Sequence, residues 1–177
     1  MDKNEIIKIL GDWNFWDRDL NTGINRPYYL NKIKSFHESS HIIVITGARR
    51  SGKSFIMRQT AKTLIEEDIR KSRILMVNFE DPRLVELNTR TLQQIYEVYL
   101  EFLNPQEKPY LFLDEIQEVK DREKWVRTIP ELDKAKIIIS ASNAKLLSRE
   151  LSTLLTGRHL DLVRIWGDLP KTWYFWN

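Results

Sequence analysis

The sequence contains no cysteine, and only six glycines and six prolines in 177 residues. The missing cysteines exclude disulfides, thiolate metal sites and cysteine nucleophiles together. No unbroken apolar run approaches the roughly 20 residues that a bilayer-spanning helix needs, so no membrane partner is expected. Met1 is followed by Asp2 and Glu5, which does not read as a signal peptide. An excess of one charge is lacking too: 28 Lys+Arg stand against 25 Asp+Glu, and a net +3 does not argue for a nucleic-acid surface. No repeat, low-complexity tract or Gly/Ser/Pro-rich linker divides the chain. What remains is globular, with 42% apolar and 30% charged residues over a length that suits one domain. A soluble, cytoplasmic domain is the expectation. Aromatic residues cluster at the end, where Trp166, Trp173, Tyr174, Phe175 and Trp176 fall within the last twelve positions.

Periodicity orders the elements. Asp2 to Trp13 predicts an amphipathic helix with Ile6, Ile7, Leu10 and Trp13 on one face, and Asp2 and Glu5 have capping-box spacing. Asn21, Thr22 and Gly23 are turn residues. Pro27 suits a first helical turn, with Tyr29, Ile33 and Phe36 facing inward. Strands then alternate with helices. The strands are Ile42 to Ile45, Arg73 to Phe79, Tyr110 to Leu113, Lys136 to Ser140 and His159 to Ile165. The helices are Ser54 to Ile69 (through Phe55, Ala61, Leu64 and Ile65), Leu92 to Leu103, one around Trp125 and Leu132, and one through Leu146, Leu147, Leu151 and Leu155, ended by Thr156 and Gly157. That alternation predicts the α/β class, with a parallel sheet covered by helices on both faces.

Gly47-Ala48-Arg49-Arg50-Ser51-Gly52-Lys53-Ser54 fits the phosphate-loop pattern G-x-x-x-x-G-K-S/T, between a predicted strand and a predicted helix. Small residues let successive N–H groups turn toward phosphate oxygens, and the helix N-terminus adds partial positive charge. Lys53 is expected to neutralise the β- and γ-phosphates, and the Ser54 hydroxyl to ligate Mg²⁺. Arg49 and Arg50 either touch phosphate or a partner subunit, or are solvated loop cations.

The strand Tyr110 to Leu113 ends in Asp114-Glu115. An Asp there suits Mg²⁺, and the following Glu can act as general base or position the attacking water. The plain alternative is a strand end with a solvated neighbour. The pair argues for hydrolysis of a nucleoside triphosphate rather than phosphate transfer to a small acceptor. Neither an N-K-x-D triplet nor an L-S-G-G-Q stretch is present, which disfavours a small GTPase and a transporter-type ATPase. Ser142 and Asn143 follow the fourth strand, where a polar group could orient water or cap the next helix. Arg158 could reach the γ-phosphate of a neighbouring subunit, a contribution of roughly 10³–10⁵ in rate where it occurs, or be an ordinary turn residue. Asn78-Phe79-Glu80-Asp81 ends the second strand at the same sheet edge, with no role assigned beyond proximity.

Four stretches in order resemble the AAA+-like P-loop ATPases of archaea and bacteria that usually carry a C-terminal domain of unknown function related to nucleases. They are Ile45 to Ser54, Asn78 to Asp81, Leu113 to Gln117 and Ser140 to Leu147. The likeness covers about residues 5–163, including Trp13-Asn14-Phe15-Trp16 and Arg26-Pro27-Tyr28. It implies a three-layer P-loop NTPase sandwich of about five parallel strands ordered 5-1-4-3-2, with ATP and Mg²⁺ as cofactors. It further implies that Gly47, Ala48, Arg49, Arg50, Ser51, Gly52, Lys53, Ser54 and Phe55 surround the nucleotide. Ser54 and Asp114 would then hold the metal, and Glu115 and Lys53 would be catalytic. Asn143 would be the polar sensor, and Arg158 an arginine finger, which would require a homo-oligomer if it acts in trans. Gly23 to Tyr28 would lie near adenine.

The expected organisation is a helical segment over 1–40, an ATPase core over 41–163 and an atypical tail over 164–177. That tail departs from the family pattern at Arg164, and a frameshift or truncation in the gene would account for its abrupt aromatic enrichment. Two functions compete: an Mg²⁺-dependent ATPase, and a nucleotide-binding switch with little turnover. A nucleic-acid motor fragment has no support from this chain alone.

Overall fold

The computed structural model describes residues 1–35 and 42–142, and residues 160–165 as backbone. Five strands form one sheet: β1 (Ile42–Gly47), β2 (Ile74–Asn78), β3 (Tyr110–Asp114), β4 (Lys136–Ala141) and β5 (Leu160–Ile165). Their spatial order is β2-β3-β4-β1-β5, and every pairing is parallel. The helices are α1 (Lys3–Trp13), α2 (Pro27–Ser35), α3 (Lys53–Glu66), α4 (Thr89–Leu103) and α5 (Arg122–Glu131).

The strands are apolar throughout because both faces are covered, and their period of two divides the core. Val44, Val77, Leu111, Leu113 and Ile139 point to one side, against α1, α4 and α5. Ile43, Ile45, Met76, Phe112 and Ile138 point to the other, against α2 and α3. In α1 the Asp2–Glu5 capping box is formed, and the buried stripe is Ile6, Ile9 and Leu10. Ile9 thus replaces Ile7 and Trp13 at its centre, as the i, i+3, i+4 rule prefers. Two apolar residues of the expected helical patterns are exposed. Leu132 lies past the last turn of α5, whose penultimate residue is Pro130, and is 57% exposed. Phe55 flanks the α3 stripe of Ile56, Met57 and Ala61 rather than joining it.

The segment after α1 explains how an edge strand is kept closed. An edge presents a row of unpaired backbone groups. Asn14, fully buried, donates to the Met76 carbonyl at 2.9 Å and accepts the Met76 N–H at 2.7 Å. Two residues on, the Trp16 indole donates to the Ile74 carbonyl at 2.9 Å. Side chains two apart therefore pair with β2 residues two apart. Phe15, between them, is buried in the α2/α3 half of the core, so the chain passes from one layer to the other around β2.

The expected helix through Leu146, Leu147, Leu151 and Leu155, its end at Thr156 and Gly157, the inward Phe36, and the tail beyond Ile165 lie outside the described residues.

Candidate nucleotide site

Parallel α/β sheets place functional loops at the carboxyl ends of their strands. Here β1 ends in the Gly47–Ser54 loop, which leads straight into α3. Gly52 sits at φ +91°, a left-handed value that a side chain resists, and a Cβ there would lie 3.1 Å from the Arg26 guanidinium. Arg26 donates to the Ser51 carbonyl at 2.8 Å, fastening the loop from outside. No side chain caps the N-terminus of α3, and the Thr46 and Ser51 hydroxyls are buried without a partner among the described residues. These unpaired donors are what phosphate oxygens would satisfy.

Lys53 opens α3 and is buried, at 3% side-chain exposure. Its ammonium lies 3.0 Å from Glu115 Oε1, donates to Ser142 Oγ at 2.8 Å, and reaches the Gly47 and Ala48 carbonyls at 3.3 Å. Asp114 closes β3 in register with Asn78 of β2, and Glu115 follows at φ +52°. Ser142 holds Glu115 twice, through its N–H at 3.0 Å and its hydroxyl at 2.6 Å, and Gln117 donates to the same carboxylate at 2.6 Å. Burial would raise the Glu115 pKa, but the hydrogen bonds from Ser142, Gln117 and Lys53 outweigh it and hold the group below its ordinary value. Asp114 goes the other way. Burial pushes it up, and the Ser140 and Ser54 hydroxyls only partly offset that.

A hydroxyl and a carboxylate, Ser54 and Asp114, form a hard oxygen donor pair suited to Mg²⁺. Among the described residues no group of three or more His, Cys, Asp or Glu could hold a metal by itself. Such a sparse donor set fits a cation that takes its other ligands from water and substrate phosphates.

Around this centre the structure places groups that sequence reasoning missed. Arg58, one turn after Ser54, stacks over the Trp13 and Phe55 rings at 5.6 and 5.5 Å, and burial lowers its pKa against the pull of the Asp114 charge. With Trp13, Ser54, Asn78 and Asp114 it lines a crevice of about 10 Å³. Ser140, Gln117 and Arg26 lie within the matching stretches but receive no individual role from them, since each acts through a hydrogen bond set by the fold. Arg49 of the loop pairs with Glu80 beyond β2, while Arg50 is exposed in a left-handed conformation. Gly23 to Tyr28 lies along the first turns of α3. Gln59 donates to the Thr22 and Ile24 carbonyls at 2.7 Å, and Ile24, Tyr28 and Phe55 are exposed. Asn143 and Arg158 lie outside the described residues.

Comparison with known proteins agrees with the fold. The chain is 36% identical over 140 residues to an uncharacterised protein of Haemophilus influenzae, covering 78% of this chain and 34% of that one. It is 33% identical over 141 residues to an uncharacterised protein of Methanocaldococcus jannaschii, covering 80% and 28% respectively. The chain thus spans about a third of the length of these curated relatives. A solved Walker-type ATPase of Pyrococcus abyssi shares the fold with a TM-score of 0.57 at 15% identity, over 80% of this chain and 53% of that one. No helix among the described residues is long and apolar enough to cross a membrane. The family described as AAA domain matches residues 39–166, well over half of the sequence, and the chain belongs to that family as a P-loop, AAA-like ATPase core.

Proposed function

We propose that this domain binds ATP with Mg²⁺ and hydrolyses it at the mouth of the Gly47–Ser54 loop. The observation that carries the reading is the burial of Lys53, Asp114 and Glu115 side by side at the uncapped N-terminus of α3. Loop N–H groups and Lys53 receive the β- and γ-phosphates. Ser54 and Asp114 hold Mg²⁺, which when bound neutralises charge on the phosphate oxygens. Glu115 accepts a proton from, or orients, the attacking water. Asn143 senses the γ-phosphate, and Arg158 reaches it from a neighbouring copy in a homo-oligomer. Residues 1–40 brace a core over 41–163, whose last strand runs on to Ile165. Dependence on ATP and Mg²⁺ suits the cytoplasm.

One observation favours the second reading, a nucleotide-binding switch with little turnover. The Glu115 carboxylate is fully engaged by Ser142, Gln117 and Lys53, so the water-activating group is tied down. Steady-state hydrolysis measured beside nucleotide binding separates the two. The enzyme reading expects turnover that disappears in Glu115→Gln with binding retained. Binding without turnover in the parent chain supports the switch. If Lys53→Ala binds ATP–Mg²⁺ as well as the parent does, both readings fail.

A further inference from the structure

Ser140 is the fifth residue of β4, completely buried, and paired in register with Ile45 just before the phosphate loop. Its hydroxyl donates to Asp114 Oδ1 and accepts the backbone N–H of Glu115 at 2.9 Å. The direction of both bonds is fixed by chemistry. A backbone N–H can only donate, so the single hydroxyl proton of Ser140 is directed to the carboxylate. One oxygen atom on β4 therefore sets the plane of one acidic side chain of β3 and the backbone of the next. The second contact matters because Glu115 has φ +52°, a conformation that costs a non-glycine residue energy and persists only when its surroundings enforce it. Strand alternation places Ser142, which grips the Glu115 carboxylate, on the same side as Ser140.

We propose that Ser140 is a positioning residue of this site, one that registers the metal carboxylate Asp114 against the water-activating Glu115 while touching neither nucleotide nor cation. The inference rests on the ATPase reading, and its test tells the two apart. The measurement is calorimetric binding of a non-hydrolysable ATP analogue with Mg²⁺ and with EDTA, beside thermal unfolding and steady-state hydrolysis. It compares the parent with Ser140→Ala, Ser140→Thr and Lys53→Ala. Ser140→Ala is expected to lose roughly 10- to 100-fold of the Mg²⁺-dependent gain in affinity, the usual effect of removing an outer-shell partner of a metal ligand. Its affinity in EDTA stays at the parent value, and kcat falls. Ser140→Thr, which keeps the hydroxyl, restores the Mg²⁺-dependent gain. Should Ser140→Ala fail to fold, Ser140→Cys, nearly isosteric but a weak donor, carries the same comparison. Equal losses with and without Mg²⁺, no loss at all, or a Thr variant as impaired as Ala overturns the proposal. If the parent gains nothing from Mg²⁺, or Lys53→Ala binds normally, the ATPase reading falls and this inference with it.

Discussion

Glu115→Gln tests more than turnover, because on the proposed function the Lys53–Glu115 ion pair and phosphate binding would compete for one ammonium. Phosphates at the loop would then draw Lys53 away from Glu115, and the energy of the pair would oppose binding. At 3.0 Å and an effective dielectric constant near 20, Coulomb's law gives roughly 5 kcal/mol of gross attraction. Much of that is offset, since both groups were desolvated to form the pair and Lys53 keeps Ser142 and two loop carbonyls as acceptors. The net loss is about 2 kcal/mol, the usual worth of one hydrogen bond to a charged group. The free Glu115→Gln protein should be less stable by that amount, and its nucleotide affinity should rise by a matching factor of roughly 30. Urea unfolding of the nucleotide-free protein gives the first number, and calorimetric titration with MgADP the second. Lost stability with unchanged or weaker binding would refute the exchange, because the pair would then persist in the bound protein.

Two further predictions concern the frame around the site. Asn14→Ala leaves the N–H and carbonyl of Met76 and the Leu10 carbonyl without their buried partner, at about 1–3 kcal/mol for each group that stays unsatisfied. At about 2–4 °C per kcal/mol for a chain of this size, a fall in the thermal midpoint of roughly 6 °C or more is expected, and a fall of about 1 °C or less would show that the β2 edge does not need its cover. Asp81 is held well below the ordinary carboxylate range, chiefly by hydrogen bonding to the Arg83 guanidinium, with the Trp13 indole adding to it against the opposing effect of burial. A depressed folded-state pKa stabilises above the unfolded value, so this contribution is complete above about pH 5 and is lost as the pH falls through the folded-state value. Stability measured by urea unfolding between pH 6 and 3 should fall less steeply for Asp81→Asn than for the parent, and equal slopes would remove Asp81 from the acid response.

The fold was legible because parallel strands buried on both faces read as short β-branched runs, and the helices between them keep their own period. Ile42 to Ile45 and Tyr110 to Leu113 carry that signal directly. The strand order came from resemblance, and the sheet has it. Within the candidate site, motif spacing singled out Lys53, Asp114, Glu115 and Ser142, and the fold brings all four together. It could not single out Ser140, whose importance depends on strand register, or Arg58, whose place between Trp13 and Phe55 depends on where the chain after α1 crosses the sheet edge. Leu132 misled because an apolar residue just past Pro130 continues the helical pattern after the helix has ended.

That crossing segment also bears on what the smallest working unit is. The family match begins at residue 39, yet the contacts that support the site begin earlier. Trp13 lies against Arg58 beside Asp114, and its indole holds Asp81 beyond the end of β2. Asn14 and Trp16 occupy the outer row of β2, the strand whose Asn78 is in register with Asp114. Gln59 then holds the chain at Thr22 and Ile24, and Arg26 closes on the Ser51 carbonyl of the loop. Residues 13–26 therefore form a strap that grips the candidate site beside Asp114 at one end and beside the Gly47–Ser54 loop at the other. A core cut at residue 39 would keep Gly47 to Ser54, Asp114 and Glu115 while exposing the β2 edge and releasing the loop. The N-terminal segment is thus part of the site's geometry rather than an appendage to it.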